Sequence, residues 1–184
     1  MSDRDDYVYP TCVQLSIPDD NEASYASAAA HINRHGYDVI SVQHEYGIFG
    51  GEAGAYLMSL VRAIQVPIVT TLHTVLQKPS PVQKEVMDEL MQLSERVVVM
   101  SSKAVGILTE VHGVPCDKID LIPHGIPAIP ALSGDRLRAE LGIDGPMILT
   151  FGLLSPDKGI QYVIEAMPRI VREHPGAVYV VVGA

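Results

Sequence analysis

The sequence predicts an α/β protein of Rossmann-like parallel sheets with flanking helices, and three observations carry that expectation. Short apolar runs rich in β-branched residues recur along the chain, stretches with helical spacing lie between them, and polar or glycine-rich residues follow the runs. Continuous apolar runs of this length suit strands covered on both faces, and their alternation with helices is βαβ architecture.

The strands are expected at residues 39–42, 66–72, 97–100, 119–122, 147–151 and 178–182. Helical spacing is clearest in Tyr56, Leu57, Leu60, Val61 and Ile64, and again in Ile160, Val163, Ile164, Met167, Ile170 and Val171. Ser80 followed by Pro81 is an N-cap and first-turn pair for a helix over 82–93, and Gly113 suits the end of a helix over 103–112. Pro168 falls inside the last helical pattern, removes the hydrogen bond to the carbonyl of Ile164, and predicts a kink. Residues 1–21 carry six charged side chains among the first twenty and one weak strand candidate at 11–17. Residues 125–145 hold Pro127, Pro130, Gly134, Gly142 and Gly145 around a short charged helix, 135–141. Such a stretch reads as an interdomain connection, dividing the chain into a first Rossmann-like domain at 1–126, a link at 127–145 and the start of a second domain at 146–184.

Composition narrows the function classes. The 184 residues are 47% hydrophobic and 19% charged, and no apolar run approaches the roughly 20 residues of a membrane span. With no leading signal sequence, the expectation is a soluble cytoplasmic protein. A net charge of −9 argues against a nucleic-acid-binding surface, which requires clustered Lys and Arg. Cys12 and Cys116 lie far apart without metal-ligand spacing, so neither a disulfide framework nor a zinc site is indicated. There is no GxGxxG fingerprint, no GxxxxGK[ST] loop and no GxSxG elbow.

In open parallel sheets, ligands bind beyond the carboxyl ends of the strands. Here those ends run into Gln43-His44-Glu45-Tyr46-Gly47 and Gly50-Gly51, His73-Thr74, Ser101-Ser102-Lys103, Pro123-His124-Gly125, and Gly152-Leu153-Leu154-Ser155-Pro156-Asp157-Lys158-Gly159. Five decorated strand ends in succession suggest a cleft. Lys158 and Gly159 combine a cation, close backbone approach and a helix start, which would fit a diphosphate; the same residues also read as a solvated lysine beside a capping Asp157. His73 ends an apolar strand, either as a hydrogen-bonding group for a sugar or as a satisfied buried histidine. His44-Glu45 hints at metal or acid/base work, but HExxH would need histidine where Ile48 stands, so no metal is expected. Gly47, Gly50 and Gly51 either admit substrate to the backbone or serve a tight turn. His124-Gly125 reads more simply as a turn than as a site.

Taken together and in order, HEYGIFGG at 44–51, TTLHTVL at 70–76, IPHGIP at 122–127 and FGLLSPDKG at 151–159 closely resemble the group 1 glycosyltransferases, family 4. The resemblance covers the chain from about Tyr25 onward. It implies the GT-B arrangement: an acceptor-side N-terminal domain and a donor-side C-terminal domain, both Rossmann-like. It also implies transfer of a hexose from a nucleotide sugar to a carbohydrate or lipid-linked acceptor, with retention of configuration and no metal cofactor. Peripheral membrane association of a longer parent is compatible with it. By position Lys158 matches the family's lysine for the donor diphosphate, with Gly152, Ser155 and Gly159 in the same donor loop. His73 matches the histidine that reaches toward the donor sugar and is the catalytic candidate. His44, Glu45, Gly50, Gly51 and His124 are the acceptor or cleft candidates. Leu153 stands where many members carry arginine, and Pro-His-Gly at 123–125 stands where Pro-Asn-Gly is common. The family's opening strand with its glycine-rich loop, and its later paired glutamates, are not found in these residues, so the expectation is a fragment inactive on its own. Two other readings are a non-catalytic sugar- or nucleotide-binding module and a GT-B-fold epimerase or phosphorylase relative.

Overall fold

A computed structural model of the chain describes Ser2, residues 7–130 and residues 133–183, with the side chain of Asp157 outside the described set. The chain separates into two compact units, Met1–Ile126 and Pro127–Ala184.

The first unit begins with helix α1 (Glu22–Arg34), which sequence periodicity had not marked. Asn21 starts it, its side chain accepting from the backbone N–H of Ala23 at 3.1 Å. Its inward face is made of Tyr25, Ala28 and Ala29, too small a set of side chains to read as an apolar stripe. Strand β1 (Ile40–His44) follows, then helix α2 (Leu57–Val61), β2 (Ile68–Leu72), α3 (Pro81–Leu93), β3 (Arg96–Val99), α4 (Ser102–Val111) and β4 (Ile119–Leu121). The four strands form one parallel sheet in the order β1-β2-β3-β4. Helix α3 opens on a reciprocal capping box between Ser80 and Gln83, with Pro81 in its first turn.

Pleating gives the sheet two unlike faces. Val42, His44, Ile68, Thr70, Leu72, Val97 and Val99 are buried, joining Met87, Leu90 and Met91 of α3 and the inner residues of α1 and α2 in one core. Ser41 and Gln43, on the alternate positions of β1, are exposed. Thr70, a polar residue in that core, is satisfied: its hydroxyl lies 2.7 Å from that of Ser94, which donates to the carbonyl of Leu90 at 2.7 Å.

Residues 11–17 do not form the expected strand. The N–H of Val13 donates back to the carbonyl of Pro10 in a turn, and an isolated bridge pairs Ser2 with Pro18 instead. Pro10 and Pro18, which bracket the segment, have no N–H to give to a ladder, and the turn from Pro10 to Val13 bends its start away from an extended path.

The second unit contains α5 (Asp135–Glu140), β5 (Met147–Phe151), α6 (Ile160–Glu173) and β6 (Val178–Val182), with β5 and β6 paired in parallel. Helix α6 continues through Pro168, whose nitrogen has no hydrogen to give the turn before it.

Candidate active site

Because the strands of the first sheet are parallel, all their carboxyl ends open on one edge. The N–H of His73 extends the β1-β2 ladder by donating to the carbonyl of His44 at 3.0 Å, and the N–H of Ile122 does the same from β4 to Val99 at 2.9 Å. These two bonds carry the backbone in register to the edge and deliver His73 and His124 there together, their ring centroids 6.2 Å apart. Both line a pocket of about 530 Å³ whose wall also includes Leu72, Ser101, Lys103 and Ile107. The pocket is thus an apolar floor with two imidazoles and one ammonium at its rim, the mixture expected of a site for a polar ligand.

Around His73 the strand ends are cross-tied. Its Nε2 lies 2.9 Å from Oε1 of Gln43, whose amide nitrogen donates to the hydroxyls of Ser41 at 3.0 Å and Thr71 at 3.3 Å. The Thr74 hydroxyl donates to Oε1 of Glu45 at 3.3 Å, so exposed Glu45 also faces the neighbouring strand end.

His44 requires a correction. Its ring is fully buried, stacked 5.8 Å from the ring of Phe49 and set edge-on 5.0 Å from that of Tyr46, so it is a core group and not a cleft-lining one. Neither ring nitrogen has a hydrogen-bond partner among the described residues. Burial, reinforced by the nearby charge of His73, pushes its pKa down to about 4, and it is neutral at pH 7. The physical reason is parity: His44 is one residue beyond Gln43, and a strand sends successive side chains to opposite faces.

Gly50 and Gly51 are likewise explained by the protein's own packing. A Cβ at Gly50 would stand 1.6 Å from the carbonyl oxygen of Asp19, and one at Gly51 would stand 2.7 Å from the ring of Tyr56, at a φ of +77°. The close approach the glycines permit is to the chain itself. The N–H of Gly50 donates to the hydroxyl of Tyr25 at 2.9 Å, locking the turn to α1.

In the second unit, β5 is followed by Gly152, where φ is +134°, and the chain passes Ser155 into a 3-10 turn, Pro156–Lys158. Gly159 then takes a left-handed conformation, φ +65°, as the N-cap of α6. The side chain of Asp157, expected as a cap, lies outside the described residues. Gly159 has no side chain with which to cap, so the first turn of α6 opens directly beside Lys158. Leu153 is three-quarters exposed on this loop.

Gln43, Ser101 and Lys103 are members of the edge that sequence reasoning noted at strand ends without assigning a role. The signal for Gln43 was its parity with Ser41; its meaning depended on which strand lay beside it.

Residues 7–128 match the family described as Glycosyltransferase Family 4, and the chain belongs to that family. It is 30% identical over 158 residues to the D-inositol 3-phosphate glycosyltransferase of Segniliparus rotundus, a match covering 78% of this chain and 34% of that protein. To the alpha-D-kanosaminyltransferase of Streptomyces kanamyceticus it is 27% identical over 150 residues, covering 72% of this chain and 39% of that protein. Among solved structures it resembles a glycosyltransferase from Rickettsia africae, with a TM-score of 0.63 at 18% identity over 93% of this chain and 46% of that one. Anabaena HepE, solved in complex with UDP-glucose, gives a TM-score of 0.60 at 18% identity over 91% of this chain and 46% of that one. These likenesses show the fold, that of GT-B glycosyltransferases. The chain spans about a third of the length of the curated relatives it matches.

Proposed function

We infer that the protein carrying these residues transfers a hexosyl group from a nucleotide sugar to a carbohydrate or lipid-linked acceptor, with retention of configuration. The observation that carries this reading is His73 at the sheet edge, held by a ladder bond and a side-chain bond and opening on the pocket, in a chain of glycosyltransferase family 4. In such a transfer the bond between the anomeric carbon and the diphosphate breaks, a bond to the acceptor oxygen forms on the same face, and the acceptor's proton leaves with the diphosphate. Negative charge grows on the departing group, so a fixed cation there acts chiefly in the transition state.

His73 is the catalytic candidate, reaching the donor sugar. Lys158 meets the diphosphate, Gly152, Ser155 and Gly159 of the same loop supply backbone to it, and the transfer runs without a metal. Glu45 and His124 border the acceptor side. That HepE was solved with UDP-glucose supports a nucleotide-sugar donor, and relatives named for D-inositol 3-phosphate suit a rim bearing Lys103. The competing reading, a binding module without turnover, has Leu153 as its support, since a leucine replaces an expected cation there.

The test is sugar transfer from UDP-glucose and other nucleotide sugars by the gene product that carries these residues, with and without EDTA. His73→Ala is expected to lower kcat at least about a hundredfold, in the range found for positioned polar groups at reacting centres. Lys158→Ala is expected to depress kcat and weaken donor binding, and EDTA to change nothing. Nucleotide-sugar binding without transfer would favour the binding module, and a fully active His73→Ala enzyme would remove His73 from the mechanism.

A further inference from the structure

Ser41, Gln43, Thr71 and His73 lie on one face across two adjacent strands. The two-residue period of β1 puts Ser41 and Gln43 on the same side, parallel pairing sets Gln43 directly beside Thr71, and His73 follows two residues on. Gln43 therefore sits at the centre of a four-residue polar row. Its amide nitrogen faces the two hydroxyls, and its carbonyl oxygen faces Nε2 of His73 at 2.9 Å.

With the Gln43 amide nitrogen turned to the two hydroxyls, its oxygen is the group that faces the ring, and an amide oxygen only accepts. In that orientation Nε2 carries the hydrogen, and a neutral His73 has its lone pair on Nδ1. The backbone of His73 is held independently by its N–H bond to the His44 carbonyl, so position and ring orientation are set by two different contacts.

We propose that Gln43 is a positioning residue that holds His73 as the Nε2–H tautomer and leaves Nδ1 as a hydrogen-bond acceptor for a substrate hydroxyl. The inference rests on the reading of His73 given above only for its consequence in transfer; the state of the ring stands by itself. It also defines the ligand chemistry: a neutral ring so held accepts from a hydroxyl donor through Nδ1, and offers no hydrogen there to a phosphate or carboxylate.

Nitrogen-15 NMR of the histidine rings in this chain, at a pH where His73 is neutral, tests the proposal directly. Wild-type His73 is expected to show a single tautomer protonated at Nε2, with a visible Hε2 resonance slowed in exchange by its bond. Gln43→Leu is expected to lose that resonance and to move the two ring nitrogen shifts toward each other. Gln43→Glu keeps an acceptor oxygen at the same reach and is expected to restore the wild-type pattern. A wild-type ring protonated at Nδ1, or a Gln43→Leu spectrum identical to wild type, overturns the proposal. In the transfer assay, Gln43→Leu is expected to lower kcat about tenfold with donor KM little changed. Loss of activity in His73→Ala without any loss in Gln43→Leu would overturn the positioning role, whereas spectra that respond as expected in a protein showing no transfer would leave the ring assignment standing and remove the transferase reading.

Discussion

The Nδ1 of His112 lies 2.6 Å from Oδ1 of Asp88, and the histidine side chain is completely enclosed while the aspartate remains about a third exposed. The bond joins the end of α4 to the middle of α3. Lys84, one turn before Asp88, approaches its other carboxylate oxygen. Burial alone would raise the Asp88 pKa, but the hydrogen bonds from Lys84 and His112 outweigh it and hold the carboxyl below its usual range.

Asp88→Ala should therefore cost more than an exposed ion pair. It leaves an enclosed ring nitrogen without its partner, a loss of roughly 1–3 kcal/mol, whereas Glu140→Ala, which removes the exposed partner of Arg136, should cost about 0.5 kcal/mol or less. Urea unfolding of the two variants measures both. Equal effects would mean that the α3-α4 tie is no stronger than a surface pair.

His44 supplies a pH dependence with a definite sign. Its pKa is near 6.5 when unfolded and about 4 when folded, so between those values the unfolded chain binds a proton that the fold refuses. Stability from this group is fully present above pH 6.5 and declines as pH falls toward 4, by about 3 kcal/mol in total. His44→Leu should flatten that part of the profile when unfolding is followed from pH 7 to pH 4.5. Parallel profiles for wild type and variant would contradict the burial assigned to the ring.

Glycines in this chain should differ sharply in their tolerance of alanine. Gly50→Ala drives a methyl group into the Asp19 carbonyl, a backbone atom that no rotamer change can clear, and should destabilise by about 1–3 kcal/mol. Gly106→Ala, inside α4 with nothing within 4 Å of the new carbon, should stabilise by roughly 0.5–1 kcal/mol. Thermal melts of the pair give the comparison, and a neutral Gly50→Ala would show that the 17–20 segment yields readily.

The capping box of α3 offers a local test. Ser80→Ala removes the acceptor of the Gln83 N–H while the backbone N–H of residue 80 still donates to the Gln83 side chain, so half of the capping box is lost, for an expected cost of about 1 kcal/mol. Ser80→Asp retains an acceptor and should recover most of it, as read from denaturant midpoints at constant slope.

Local signals account for what could be read from the residues in order. The bounds of β5 and β6 match their apolar runs, and α3 begins where Ser80 and Pro81 announce it, because strand continuity and capping depend on neighbours within a few positions. The helix α1 escaped notice because alanines form its inner face, and 11–17 looked like a strand until its bracketing prolines and turn are considered. Of the family motifs, His73 and His124 emerge side by side at the edge, while His44, in the same motif as Glu45, turns inward.

The sequence by itself thus determined the βαβ alternation, the helix starts and the polar character of the strand ends, since each is written in short-range spacing and residue chemistry. Tertiary structure alone decided which of those polar groups meet. Parallel register set Gln43 beside Thr71 and within reach of His73, strand parity sent His44 into the core, and folding of the 17–20 segment filled the space above Gly50 with Asp19. Those outcomes depend on contacts between residues about thirty positions apart, and such contacts are fixed by packing of the two strand faces rather than by any local preference.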